Sequence, residues 1–184
     1  MTAVSGQPAA GGAADLLSAG SLAGEWTLDP RRSAVRLRSR AMWGLVPVTG
    51  EFREVSGYGT VAADGTARAM IVVSAASIDT RNPRRDAHLR SADFFDSENH
   101  QDITFAADEV RPAGKGLAVT GVLTVRGRTT RLSFDAALVI GSDGEIQVDA
   151  EVPVDRRDVG VTWNMLAAVS TRSVLTARAV FTRR

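Results

Sequence analysis

The chain has 184 residues, 44% of them hydrophobic, with 22 basic against 21 acidic side chains and a net charge of +1. That is the size and apolar content of one folded domain with a substantial core, and it excludes a disordered chain and a broadly basic nucleic-acid binder. Cysteine is absent, which removes disulfide scaffolds, thiolate zinc sites and cysteine nucleophiles together.

In chain order, residues 1–23 are rich in Ala, Gly and Ser and are expected to form a flexible tail, with at most a short helical turn at Asp15-Leu16-Leu17. They have no basic segment followed by an apolar run, so they do not read as a secretory signal, and a cytoplasmic location is expected. The folded domain is expected over 24–184, opening near Trp26. Ser33 to Arg40 alternates strictly, with Val35 and Leu37 on one side and Arg36, Arg38 and Arg40 on the other, the period of a half-buried strand. Val48 to Phe52 and Ser56 to Ala62 read as further strands, with a tight turn at Asp64-Gly65. Ala67 to Ile78 is apolar on both faces, which predicts cover on both.

Residues 79–100 break the pattern. The run Arg81 to Ser91 is too polar for a strand; Pro83 suits a helix start and Asp86 its first turn, so a short helix is expected over 84–92, followed by Phe94-Phe95 turned inward. Strands then resume. Ile103 and Phe105 alternate with Thr104; Leu117, Val119, Gly121, Leu123 and Val125 share one face, as do Leu132, Phe134, Ala136, Leu138 and Ile140. Gly114 to Gly116, Gly127-Arg128 and Ser142-Asp143-Gly144 supply the turns, Ile146 to Val152 alternates again, and the last strand is expected over Val174 to Phe181. The arginine pairs 31–32, 156–157 and 183–184 read as solvated turns and a tail. About eight strands at regular spacing predict an all-β fold, an antiparallel up-and-down barrel with one or two short helices, whose closure removes exposed edges.

Several blocks carry a resemblance. Ser77-Ile78-Asp79-Thr80, then Arg85-Asp86-Ala87-His88-Leu89-Arg90-Ser91 with Asp93-Phe94-Phe95-Asp96, then Ile103-Thr104-Phe105, resemble the YceI-like family, the polyisoprenoid-binding, lipocalin-like group. Trp26-Thr27-Leu28-Asp29, Gly50-Glu51-Phe52, Gly121 to Gly127 and Arg157-Asp158-Val159-Gly160 agree in order, so the resemblance spans roughly Gly24 to the C-terminus. The chain departs from the family pattern at three places. Arg40 to Gly44 lacks a His, Gln101 stands where a Pro is frequent, and Val159 stands where a Phe is usual. The resemblance implies a lipocalin-like barrel, a long-chain isoprenoid or similar fatty lipid in its interior, and a homodimer.

Such a ligand needs a long dry lining with few charges. A strand of about ten residues spans roughly 33 Å, long enough for a prenyl chain. The expected ligand-binding set is Trp43, Phe52, Ile71, Val73, Arg85, His88, Phe94, Phe95, Phe105, Leu123, Phe134 and Trp163. The same bulky residues serve equally to fill the barrel solid, since an eight-stranded interior is wide enough for either outcome. The cluster Arg85-Asp86-x-His88-x-Arg90 also has two readings: a headgroup clamp at the barrel mouth, because Arg forks bind phosphate, or an anchor in which Asp86 caps or pairs with the arginines and fixes a loop. His88 and His100 are the only histidines and make weak metal ligands with Asp86, Asp93 or Asp96. A hydrolase grouping of His88, a neighbouring Asp and Ser91 lacks any nucleophile-elbow motif. Trp163 to Leu166, within the apolar stretch Val159 to Val169, reads as core, as a gate for the lipid, or as a face toward a second subunit. The expected function is therefore a lipid carrier or sequestering protein that is not an enzyme. It has no cofactor, metal or nucleic-acid partner, and room remains for transient membrane contact. An enzyme acting at residues 85–96 and a filled-barrel interaction domain are the alternatives.

Overall fold

A computed structural model describes residues 12–41, 46–155, 157–161 and 172–184. The strands are Gly24–Leu28 (β1), Ala34–Ala41 (β2), Val46–Phe52 (β3), Val55–Val61 (β4), Ala67–Ser74 (β5), Ile78–Asp79 (β6), Asp102–Ala113 (β7), Gly116–Val125 (β8), Arg128–Ile140 (β9), Ile146–Asp155 (β10) and Arg172–Arg183 (β11). The first six are three staves, each broken once. β1 and β2 pair in succession with β11; β4 and β3 pair with β1 and β2; β5 and β6 pair with β4 and β3. Counted this way, eight antiparallel staves follow one another in chain order, and the ring closes where β11 meets β1. This is the closed eight-stranded barrel expected from the alternation, with extra strands arising from the breaks.

The breaks have local causes. Pro30 cannot donate to a ladder, and around it Asp29 N–H bonds the Val180 carbonyl at 2.8 Å while the Ser33 hydroxyl accepts the Val180 N–H at 3.0 Å. Residues 53–54 and the 3-10 turn Ala75–Ser77 lie side by side, joined by Arg53 N–H to Ser77 O (3.2 Å) and Ser74 N–H to Glu54 O (3.1 Å). The single strand read over Ala67 to Ile78 is therefore two. Cover on both its faces is also corrected. Its inward Val73 is buried, but its outward Met70 and Val72 are only half-buried, and Tyr58 opposite Met70 is 60% exposed.

Alternation sets the lumen. β8 is buried at every second residue along its length, with Leu117, Val119, Leu123 and Val125 pointing in. Gly121 sits in that stripe because a Cβ there would lie 2.7 Å from the Phe105 ring and 2.3 Å from the Ala106 carbonyl. The gap admits Phe105, which packs on Phe134 at 5.5 Å between ring centroids.

The barrel ends are closed differently. At one end lies helix α1, Ala13–Ser18, against β7, β8 and β9. Leu17 is 3% exposed, Leu22 is buried, and the Trp26 indole donates to the Leu22 carbonyl at 3.0 Å. Residues 12–23 are thus part of the fold and not a free tail: the end of an apolar barrel needs an apolar cover, and Leu17 and Leu22 supply it. Arg183, expected in a solvated tail, lies on β11 with its guanidinium 5.0 Å from the Trp26 ring centroid and donating to the Ala23 carbonyl at 3.1 Å. At the other end the long connection between β6 and β7 carries helix α2, Pro83–Arg90. Asn82 caps it by accepting the Arg85 N–H at 3.1 Å, and Pro83 needs no donor in the first turn.

Candidate functional site

The inward faces enclose a cavity of about 450 Å³ that runs from Leu17, Leu22 and Trp26 at the α1 end to Arg85, His88 and Phe94 at the α2 end. Ten of the expected ligand-binding residues line it: Phe52, Ile71, Val73, Arg85, His88, Phe94, Phe95, Phe105, Leu123 and Phe134. Trp43 and Trp163 lie outside the described residues, as does the stretch 162–169. The described residues thus bring together a site drawn from β3, β5, α2 and its following loop, β7, β8 and β9, because every second residue of each stave shares the lumen. Sequence reading missed the lining contributions of Leu17, Leu22, Val35, Leu37, Ser39, Thr80 and Ser173. For Val35, Leu37 and Ser39 a signal existed, since all three share the inward phase of β2.

Thr80 is the hub of the polar cluster, with Asp86 as its charged partner. Asp86, 6% exposed, accepts both the Thr80 N–H (2.9 Å) and the Thr80 hydroxyl (2.5 Å) through Oδ1. Arg85 closes the other side, with Nε donating to Thr80 Oγ1 at 2.7 Å and Nη2 to the Thr80 carbonyl at 3.0 Å. Arg90 donates to the Ile78 carbonyl at 2.8 Å. The expected pairing of Asp86 with the arginines is thus corrected: carboxylate and guanidinium meet on a shared threonine, and the cluster pins α2 to the barrel rim. Beside it, the Arg81 N–H and the Arg53 guanidinium hold the Asp79 carboxyl below its ordinary range.

The pinned loop turns Phe94 and Phe95 onto the lumen. Phe95 is buried edge-on against Phe52 at 5.8 Å, and Phe94 meets the His88 ring edge-on at 5.1 Å. His88 Nε2 lies 3.2 Å from Asp93 Oδ2, while the Ser91 hydroxyl donates to the His88 carbonyl at 2.7 Å, away from the imidazole. The His88–Ser91 pairing of a hydrolase is therefore not assembled. His100 lies 3.9 Å from Asp96, apart from the His88–Asp93 pair, and among the described residues no three metal-ligating groups converge. Chemically, the site offers apolar contact along most of its length and hydrogen-bonding side chains gathered at the α2 end.

Comparison with known proteins agrees with this architecture. A sequence model described as the YceI-like domain matches residues 26–181. A UPF0312 protein of Serratia proteamaculans is 31% identical over 159 residues, covering 82% of this chain and 83% of the relative. Among solved structures, BcnA of Burkholderia cenocepacia superposes with a TM-score of 0.77 at 22% identity, over 84% of this chain and 99% of that one. A domain from Saccharophagus degradans, described as polyisoprenoid-binding and implicated in plant cell wall breakdown, superposes with a TM-score of 0.73 at 17% identity, over 86% and 98%. At these identities the structural matches speak for the fold alone.

Proposed function

The chain belongs to the YceI-like family, and from that premise we propose that its barrel binds a long-chain isoprenoid or similar lipid and carries or sequesters it. The observation that carries this reading is the continuous apolar cavity through the barrel. Its lining is apolar along most of its length, and an apolar chain placed in it gains about 0.8 kcal/mol per buried methylene. The cavity also favours this reading over a barrel filled by its own side chains. No bond-making step belongs to it: the protein shields the chain from water and releases it to an enzyme or a membrane. The description of the Saccharophagus domain as polyisoprenoid-binding points to the same ligand class. A homodimer, which the family resemblance implies, is part of the same reading, and sedimentation of the purified chain tests it.

The deciding experiment is native mass spectrometry of the purified chain, with organic extraction to identify what it holds. A stoichiometric long-chain lipid is the expected result. A chain that is empty as isolated and also takes up no added prenyl lipid would refute the carrier reading.

A further inference from the structure

We infer that the bound lipid presents a neutral, hydroxyl-bearing end to Ser39 and Ser173 at the α2 end of the lumen, and not a diphosphate. The inference rests on the lipid-binding reading above and concerns which lipid the site takes. Ser39 follows Val35 and Leu37 on the inward phase of β2, and its Oγ is fully enclosed with no hydrogen-bond partner. The β2–β11 ladder ends with Arg38 against Val174, and the next residue on each strand is Ser39 and Ser173. Ser173 also lines the cavity and is 7% exposed. The two serines are bracketed across the neighbouring ladders by Val48 and Val154, which also line the cavity. Two serine side chains thus stand on neighbouring strands of the cavity wall, between Val48 and Val154.

A buried hydroxyl without a partner is costly, and native interiors rarely leave one unpaired. A ligand hydroxyl answers both serines, because it donates to one and accepts from the other. A diphosphate does not fit this place. Among the basic side chains at this end, Arg85 already spends Nε and Nη2 on Thr80, His88 faces Asp93, and Arg40 is itself engaged. Among the described residues that line this end, both guanidinium groups are already engaged, so an anion here would be desolvated without a free one to meet it.

The test uses the delipidated full chain and three probes of one carbon skeleton: geranylgeraniol, its deoxygenated hydrocarbon, and geranylgeranyl diphosphate, each competing with a fluorescent long-chain probe. The alcohol should bind about tenfold tighter than the hydrocarbon, the worth of one net buried hydrogen bond, and the diphosphate should bind more weakly than the alcohol. In the Ser39→Ala/Ser173→Ala chain the alcohol's advantage should fall to within about twofold, with hydrocarbon affinity unchanged; Ser39→Thr should retain it. Equal binding of alcohol and hydrocarbon to the unaltered chain, a tighter diphosphate, or an alcohol preference that survives the double substitution would each overturn the inference while leaving lipid binding in place. Failure of all three probes to bind would overturn both. Because the headgroup series is read on the unaltered chain, the inference stays testable even if the double variant folds poorly.

Discussion

Asp86→Ala should unhook the loop that covers the α2 end of the barrel. In the native chain one carboxylate oxygen accepts two bonds from Thr80, at 2.9 and 2.5 Å, and both residues are almost wholly buried. Hydrogen bonds to a charged group are worth about 1.5–3 kcal/mol each, and an abandoned buried N–H costs about 1–3 kcal/mol. Part of the gain is returned because alanine no longer buries a carboxylate. The net loss should be about 3 kcal/mol for Asp86→Ala and about 1–2 kcal/mol for Asp86→Asn, which keeps an oxygen acceptor but not the charge. Urea unfolding reads this as a lower midpoint at unchanged slope. Native-state hydrogen exchange should localise it, with amides of residues 80–97 losing protection before those of β8 and β9. A loss below about 1 kcal/mol for Asp86→Ala, or unchanged protection over 80–97, would show that the Thr80 hub does not pin the loop.

Three further outcomes follow from the same geometry. Val119→Trp places a large ring in the lumen. A filled barrel would lose about 1–3 kcal/mol by overpacking, whereas an open one should keep its unfolding midpoint and lose uptake of a fluorescent long-chain probe, so lost stability with uptake intact would contradict an open lumen. Leu17→Ala at the α1 end should cost about 2 kcal/mol, the low end for a buried leucine because a terminal helix can settle, and thermal melting checks it; no shift would mean that α1 does not seal the barrel. Asp79 has its carboxyl lowered by the Arg81 N–H and then the Arg53 guanidinium, and Glu145 by the Arg32 guanidinium. A carboxyl depressed in the folded state contributes stability that is complete above its unfolded pKa of about 4 and is lost as the pH falls through its lower folded value. Unfolding midpoints measured from pH 6 downward should therefore fall in the acid range, and Asp79→Asn should make that fall shallower; an unchanged acid limb in the variant would refute the assignment.

Much of the fold was legible because its dominant signal is local. Alternation in β2, β8, β9 and β10 names the inward residues directly, and the closed barrel follows once about eight such runs meet at short turns. The broken staves were not legible, because β1 and β2 are distinct segments whose unity lies in their shared partner β11. Pro30 marks one interruption in the sequence, but nothing around Ala75 announces the 3-10 turn that ends β5. Helix α1 was read only as a short helical turn at Asp15-Leu16-Leu17, and its role as a cover was missed for a related reason. Leu16 and Leu17 stand among Ala, Gly and Ser, and their value as a cover exists only when the barrel end they close is in place.

The candidate site divides along the same line. Its apolar wall was readable residue by residue, since Phe52, Ile71, Val73, Leu123 and Phe134 each sit in phase with a lumen stripe. Its polar chemistry was not, because charge draws attention to Arg85 and Asp86 while the residue that organises them is an uncharged threonine six positions before Asp86. The serines carry the point further. Ser39 is in phase with Val35 and Leu37, yet one serine near a strand end reads as the approach to a turn. Ser173 is 134 residues later and comes to the same end of the lumen only through the ladder that joins β2 to β11. Where a lumen is lined by alternation, a small polar residue in the inward phase is therefore a sharper pointer to ligand chemistry than a conspicuous charge at the rim. The rim charges can satisfy one another, whereas the enclosed hydroxyl of Ser39 has no protein partner to turn to.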